Sequence, residues 1–135
     1  MKQKNQTKSP VPPEKPKNKY HNVETVKGGI KFASRLESEY YTNLKLLEKA
    51  GIIRDLEMQV PFILMEPFTD RDGKKHRAIK YVADFVYTET ESGARVVADC
   101  KGMRTRVYEM KRKMFLQKYP ELKFREVVRN DVRWR

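Results

Sequence analysis

Val82-Ala83-Asp84-Phe85-Val86-Tyr87-Thr88-Glu89-Thr90-Glu91-Ser92-Gly93-Ala94-Arg95-Val96-Val97-Ala98-Asp99-Cys100-Lys101-Gly102 carries two short apolar runs on either side of a polar connection containing Ser92-Gly93. That is the pattern of a β-hairpin with a long turn. An acid sits inside each run, and a lysine follows the second acid by two positions. Residues i and i+2 share a face of a strand, so Asp99 and Lys101 are expected to point one way and Cys100 the other. Unpaired charge is costly to bury. If the hairpin brings Asp84 alongside Asp99, two like charges share one place and need a cation. A metal ion there makes sense of the arrangement.

Outward from the hairpin, the chain has the length of one domain. It has 135 residues, a hydrophobic content of 39% and a formal net charge of +12. Its apolar residues are gathered into short runs, which predicts a folded core. The charge makes a polyanion the default partner, nucleic acid first and an anionic membrane second. A single cysteine excludes an internal disulfide framework and a cysteine-rich zinc site, and fits a reducing cytoplasm. No apolar run approaches the roughly 20 residues that span a bilayer, and the N-terminus has no hydrophobic signal segment, so a cytoplasmic protein with no membrane partner is expected.

Residues 1–19 contain six lysines, one glutamate and four prolines, with little that is aliphatic. Such a segment cannot bury enough apolar surface to offset its ordering entropy, and a disordered basic tail is expected there, ahead of a domain over 20–135. Tyr20 to Phe32 reads as a small hairpin or extended lead-in around Gly28-Gly29. A helix follows from Ser34. Ser34-Arg35-Leu36-Glu37 is a capping box, Leu36, Tyr40, Leu44 and Leu47 mark the inner face with Tyr41 beside it, and Gly51 is the stop. Glu37 has two readings, as a cap residue and as a carboxylate reaching the metal site, and spacing does not choose between them.

Ile52 to Met65 reads as one or two strands interrupted by Pro61, at an edge or bend. Gln59, between apolar positions, is a candidate polar contact. Asp70 to Lys75 is a turn around Asp72-Gly73. His21 and His76 stand alone and read as surface or structural residues. Beyond the central hairpin, a helix from Arg106 or Val107 to Lys118 is expected to turn Val107, Met110 and Met114 inward, with Leu116 or Tyr119, and Lys111, Arg112, Lys113 and Lys118 outward. Pro120 ends it. Leu122 to Val128 reads as a last strand, and the segment to Arg135 is basic around Trp134. The sum is a mixed α/β domain, a central sheet with a helix before and after the acidic hairpin.

Asp84 and Asp99 are hard oxygen ligands suited to Mg2+ or Mn2+, the backbone carbonyl of Cys100 is a further donor, and Glu37 another or the support of a second metal. Lys101 would sit beside a water held by such an ion, orienting or deprotonating it or stabilising developing charge. The cations Arg104, Arg106, Lys111, Arg112, Lys113 and Lys118 are the candidates for contact with a phosphate backbone.

With these residues in view, the chain resembles the PD-(D/E)xK nuclease superfamily, and within it the DUF1064 group of phage and prophage proteins. The resemblance covers about Tyr20 to Val128. It rests on Phe32-Ala33-Ser34-Arg35-Leu36-Glu37 with Glu39-Tyr40-Tyr41, Leu56-Glu57-Met58-Gln59, Tyr81-Val82-Ala83-Asp84-Phe85, Val97-Ala98-Asp99-Cys100-Lys101-Gly102 and Phe124-Arg125-Glu126-Val127. It implies a restriction-endonuclease-like core, with Asp84 as the first acid of the motif, although Ala83 replaces the usual proline. Asp99 is then the second acid, Lys101 the motif lysine, Glu37 the acid from the first core helix and Gln59 a polar residue near the site. The implied activity is Mg2+-dependent hydrolysis of DNA phosphodiesters by a homodimer, with branched or Holliday-junction DNA in phage recombination or repair as the specific substrate, in the cytoplasm of a bacterial host. The alternative is a DNA-binding accessory protein that keeps the fold without catalysis.

Overall fold

The protein is described here by a computed structural model, over residues 25–27 and 29–129. The expected basic tail over residues 1–19, His21 and the segment around Trp134 lie outside the described residues.

Strands β1 (Thr25–Lys27) and β2 (Ile30–Phe32) form a small antiparallel pair ahead of helix α1 (Arg35–Lys49). Strand β3 (Ile53–Met65) leads to the short β4 (Phe68–Thr69) and β5 (Lys75–His76), then β6 (Ile79–Glu89), β7 (Arg95–Cys100), helix α2 (Arg106–Lys118) and β8 (Lys123–Val127). The main sheet has the order β3-β6-β7-β8. Its first two junctions are antiparallel and β8 runs parallel to β7, so the sheet is mixed and α2 is the crossover that a parallel pair requires.

Both helices form where their caps direct. The Ser34 hydroxyl accepts from the Glu37 N–H at 3.1 Å, and the Thr105 hydroxyl from the Tyr108 N–H at 3.0 Å, each satisfying an orphan donor of a first turn. Leu36, Tyr40, Leu44 and Leu47 of α1 are buried with Ile53, Phe85, Tyr87, Val96 and Ala98, the inner face expected from their spacing. Tyr108 and Phe115 of α2 are buried with Leu64, Tyr81, Ala83, Val86 and Val97. Successive residues of β7 thus go to different clusters, Val96 and Ala98 to one and Val97 to the other, and the two helices cover opposite faces of the sheet.

The inner face of α2 differs from the expected one. Val107 and Met110 are 58% and 60% exposed, Leu116 is also exposed, and Met114 and Tyr119 are only partly buried. The large rings set the phase: Phe115 lies among Phe62, Tyr81, Tyr119 and Phe124 at centroid separations of 5.1 to 5.7 Å. Such rings bury more surface than the smaller side chains they displace. Lys111 and Arg112, expected outward, are half-buried as a result, and Arg112 lies over the Phe124 ring at 5.3 Å.

Pro61 does not interrupt β3. It pairs with Val82 within one continuous strand, and because β3 is an edge, the missing N–H is tolerated. The irregularities of β3 lie elsewhere. Asp55 and Gln59 have φ of 56° and 52°, rare for residues with a Cβ. Register with β6 shifts between Arg54 and Glu57, a bulge at the first of them. At the second, Met58 packs with the α1 cluster and Val60 with the α2 cluster, although residues two apart in a regular strand share a face. Facing them across the ladder, Phe85 and Ala83 divide between the two clusters in the same way.

Candidate active site

The place where the alternation reverses is also where the central hairpin opens. Pairing between β6 and β7 ends at Phe85 with Ala98, while β7 continues along β8 through Cys100. The Lys101 N–H donates to the Val127 carbonyl at 2.9 Å. The Cys100 N–H points the other way and meets the Asp84 carboxylate at 2.8 Å, a side-chain oxygen in the place of a ladder carbonyl. The parting strands leave a notch, and Asp84 and Asp99 stand in it.

Asp99 is 2% exposed, with Lys101 Nζ at 3.0 Å from its Oδ2 as an ion pair. The expectation that Asp99 and Lys101 share a side is met. That Oδ2 is buried and has no hydrogen bond of regular geometry among the described residues, nor does the buried Tyr81 hydroxyl. Glu37, 6% exposed in the first turn of α1, arrives from the other face of the sheet. The Gln59 side-chain N–H donates to Glu37 Oε2 at 3.3 Å and to Asp84 Oδ1 at 3.5 Å, so one amide joins the helix acid to the strand acid. The left-handed backbone at Gln59 is what turns its side chain into the notch. The Glu37 N–H donates to the Ser34 hydroxyl of the cap, while its carboxylate meets the Gln59 amide in the notch.

The electrostatics reflect three carboxylates and one ammonium in a confined place. The Asp84 carboxyl is pushed up to about 8, by burial first and then by the charges of Asp99 and Glu37, against the stabilising Cys100 N–H. Glu37 is raised, chiefly by burial, with the Asp99 charge adding and the Ala33 backbone and Lys101 opposing. The Cys100 thiol is raised by burial and by the same three acids, which disfavours its thiolate.

These residues offer the donors that a hard divalent cation takes. Asp84, Asp99, Glu37 and the Cys100 carbonyl are oxygen ligands, the set has excess negative charge, and the buried Asp99 Oδ2 is incompletely satisfied. By chemistry the set fits such an ion. In position, the described residues contain no group of three or more His, Cys, Asp or Glu arranged to hold one; the Gln59 amide stands between Glu37 and Asp84 instead.

Two participants escaped the sequence. The Lys101 ammonium lies over the Tyr108 ring, 4.2 Å from its centroid, and the Tyr108 hydroxyl donates to Glu126 Oε2 at 2.8 Å. Glu126 sits beside Asp99 in the parallel register and is bound by Arg104 through Nε, at 3.1 Å, and through Nη2. Glu126 is held below its usual range, burial opposing, by these bonds from Arg104 and Tyr108. Neither residue stands at a motif spacing from Lys101; only the β7-α2-β8 crossover joins them. Of the cations expected to face a polyanion, Arg104 is therefore committed to Glu126. Arg104, Arg112 and Lys113 still line a groove of about 370 Å³ with Glu109 and Leu116, and Arg106, Lys113 and Lys118 are exposed.

His76 pairs with Asp70 at 2.8 Å and stacks on Phe68, a structural role. No helix among the described residues is long and apolar enough to cross a membrane. The family described as "Protein of unknown function (DUF1064)" matches the chain over residues 17–132. No curated protein and no solved structure matches it.

Proposed function

The chain belongs to the DUF1064 family, and we propose that it is a Mg2+-dependent endodeoxyribonuclease of the PD-(D/E)xK type, with a restriction-endonuclease-like core, acting on the phosphodiesters of branched DNA as a homodimer in phage or prophage recombination within the bacterial cytoplasm. The observation that carries the reading is the buried Asp99 paired with Lys101 at 3.0 Å beside Asp84, at the opening of two central strands, with Glu37 joined to Asp84 through Gln59. A structural ion pair would not need two further acids at the same notch, each raised by burial and by its neighbours' charge.

Mg2+ or Mn2+, when held by Asp84, Asp99, Glu37 and the Cys100 carbonyl, would neutralise charge on the scissile phosphate and lower the pKa of a water. The chain's own residues do the rest. Asp99 holds the Lys101 ammonium by charge while the Tyr108 ring fixes its direction, so that it is aimed at the notch and meets negative charge as it develops. Gln59 spaces Glu37 from Asp84, and the Cys100 N–H orients the Asp84 carboxylate.

Purified protein with Mg2+ or Mn2+ is expected to cut at least one of linear, nicked, flapped and four-way DNA. Asp99→Ala and Lys101→Ala each lower the rate by at least about 10²-fold and leave folding and DNA affinity in place. Absence of cleavage on every substrate, with salt-dependent binding retained, would leave the alternative of a non-catalytic DNA-binding accessory protein.

A further inference from the structure

The β3–β6 ribbon is longer than the sheet it belongs to. Strand β7 covers β6 only from Phe85 to Thr88, whereas β3 follows β6 out to Ile79, and the β4–β5 hairpin lies between the outer ends of the two strands. Helix α2 covers one face of this extension, where Tyr81 and Ala83 are buried and the Tyr119 hydroxyl donates to the Ile63 carbonyl at 2.8 Å. The alternate residue Val82 faces away from that cluster and is 47% exposed; Ile79 at the ribbon's end is exposed as well. Val82 is two residues from Asp84 along β6, so the outer part of the ribbon adjoins the notch.

The hairpin beyond it is stiff for its size. Asp70 accepts from the Asp72 and Lys74 N–H groups at 2.9 and 3.0 Å and pairs with His76, while the His76 ring lies flat on Phe68 at 4.7 Å and 15°. Phe68 remains 47% exposed, an aromatic ring supported from behind and turned outward. The same stretch of chain carries Arg71, Lys74, Lys75, Arg77 and Lys80, all exposed and none with an ion-pair partner among the described residues. They outnumber the carboxylates of the same stretch, Glu66, Asp70 and Asp72, of which Asp70 is taken by His76.

We propose that this β4–β5 arm and the open face of the ribbon below it form a second duplex DNA contact, apart from the cations of α2, with the two-stranded arm entering a major groove while the duplex lies across the notch. It rests on the nucleic-acid reading above. A two-stranded ribbon fits the major groove in width. Unpaired cations at the tip answer phosphates, and the rigid Phe68–His76 pair presents an apolar surface to base edges without loss of side-chain freedom. A membrane would be met by the same charge, but not by a narrow arm continuous with a candidate cleavage site.

The full chain is titrated with a labelled linear duplex over a range of salt concentrations, beside the double variant Lys74→Ala/Lys75→Ala, Phe68→Ala and the α2 variant Lys113→Ala, all shown to unfold at the wild-type midpoint. The double variant is expected to reduce the slope of log Kobs against log salt by about 1.8, since each phosphate that a lysine neutralises adds about 0.9 to that slope. Phe68→Ala is expected to weaken binding at every salt concentration with the slope unchanged. Wild-type slope and affinity in the arm variants, with a reduced slope in Lys113→Ala, overturn the arm and leave the nucleic-acid reading standing. No salt-dependent binding by the wild type overturns both.

Discussion

Among the acids of the notch, Asp84 is the one pushed furthest from its ordinary range. Its carboxyl titrates in the folded protein at about 8, against an ordinary value of 3.8, so the native state holds a proton that the unfolded chain releases. The contribution of this one group to stability is then fullest below pH about 4 and is lost as pH rises toward about 8. Asp84→Asn mimics the protonated form. The variant is expected to match the wild type in acid and to exceed it by several degrees in melting temperature at pH about 8, where about 1 kcal/mol corresponds to roughly 4–8 °C in a small domain. Melting curves across this range in the presence of a chelator check it, and parallel pH profiles for the two proteins would contradict it. Gln59 belongs to the same scale. Its positive φ and its two carboxylate contacts are one feature, a backbone held in a sparse region so that an amide reaches two acids.

Among the elements, α1 and α2 were legible to different degrees. The Ser34 cap of α1 and its buried face could be read directly, because both depend on residues three and four apart. The link from that cap to the notch is tertiary. Ser34→Ala is expected to cost about 1 kcal/mol in urea unfolding and, by loosening the turn that carries Glu37, to lower cleavage beyond what the stability loss explains. The end of α2 was also readable, from Pro120, but its phase was not. Hydrophobicity favoured Val107 and Met110, while the volume available between β3, β6 and β8 selected Tyr108 and Phe115. Phe115→Ala is expected to cost about 3–5 kcal/mol, and Met110→Gln to fall within about 0.5 kcal/mol of the wild type. Equal losses in the two variants would contradict the observed face.

Taken as a whole, the molecule is a mixed sheet between two helices with a largely buried acidic notch where two central strands part, in a chain of formal net charge +12. A divalent ion that binds the folded form alone must stabilise it, by about 2.7 kcal/mol at a concentration roughly a hundred times its Kd. Titrating Mg2+ or Mn2+ is therefore expected to raise the melting temperature of the wild type, and to have little effect on Asp99→Ala, whose site has lost its most buried carboxylate. Calcium, also an oxygen-seeking ion, tests whether the response follows cation size or charge alone.

By itself, the amino-acid sequence determined the α/β class, the cap and inner face of α1, the central hairpin, and the pairing of Asp99 with Lys101 on one side of a strand. Each follows from periods of two or of three and four residues, which steric rules impose locally. Only the tertiary structure decided that Glu37 reaches the notch, that Gln59 bridges it to Asp84, that Tyr108 and Glu126 support Lys101 and Arg104, and that the β3–β6 ribbon projects past its neighbours. These depend on where strands part, where a bulge reverses a face, and which rings fill a shared volume. Those are outcomes of packing between segments far apart in the chain, and no local spacing encodes them.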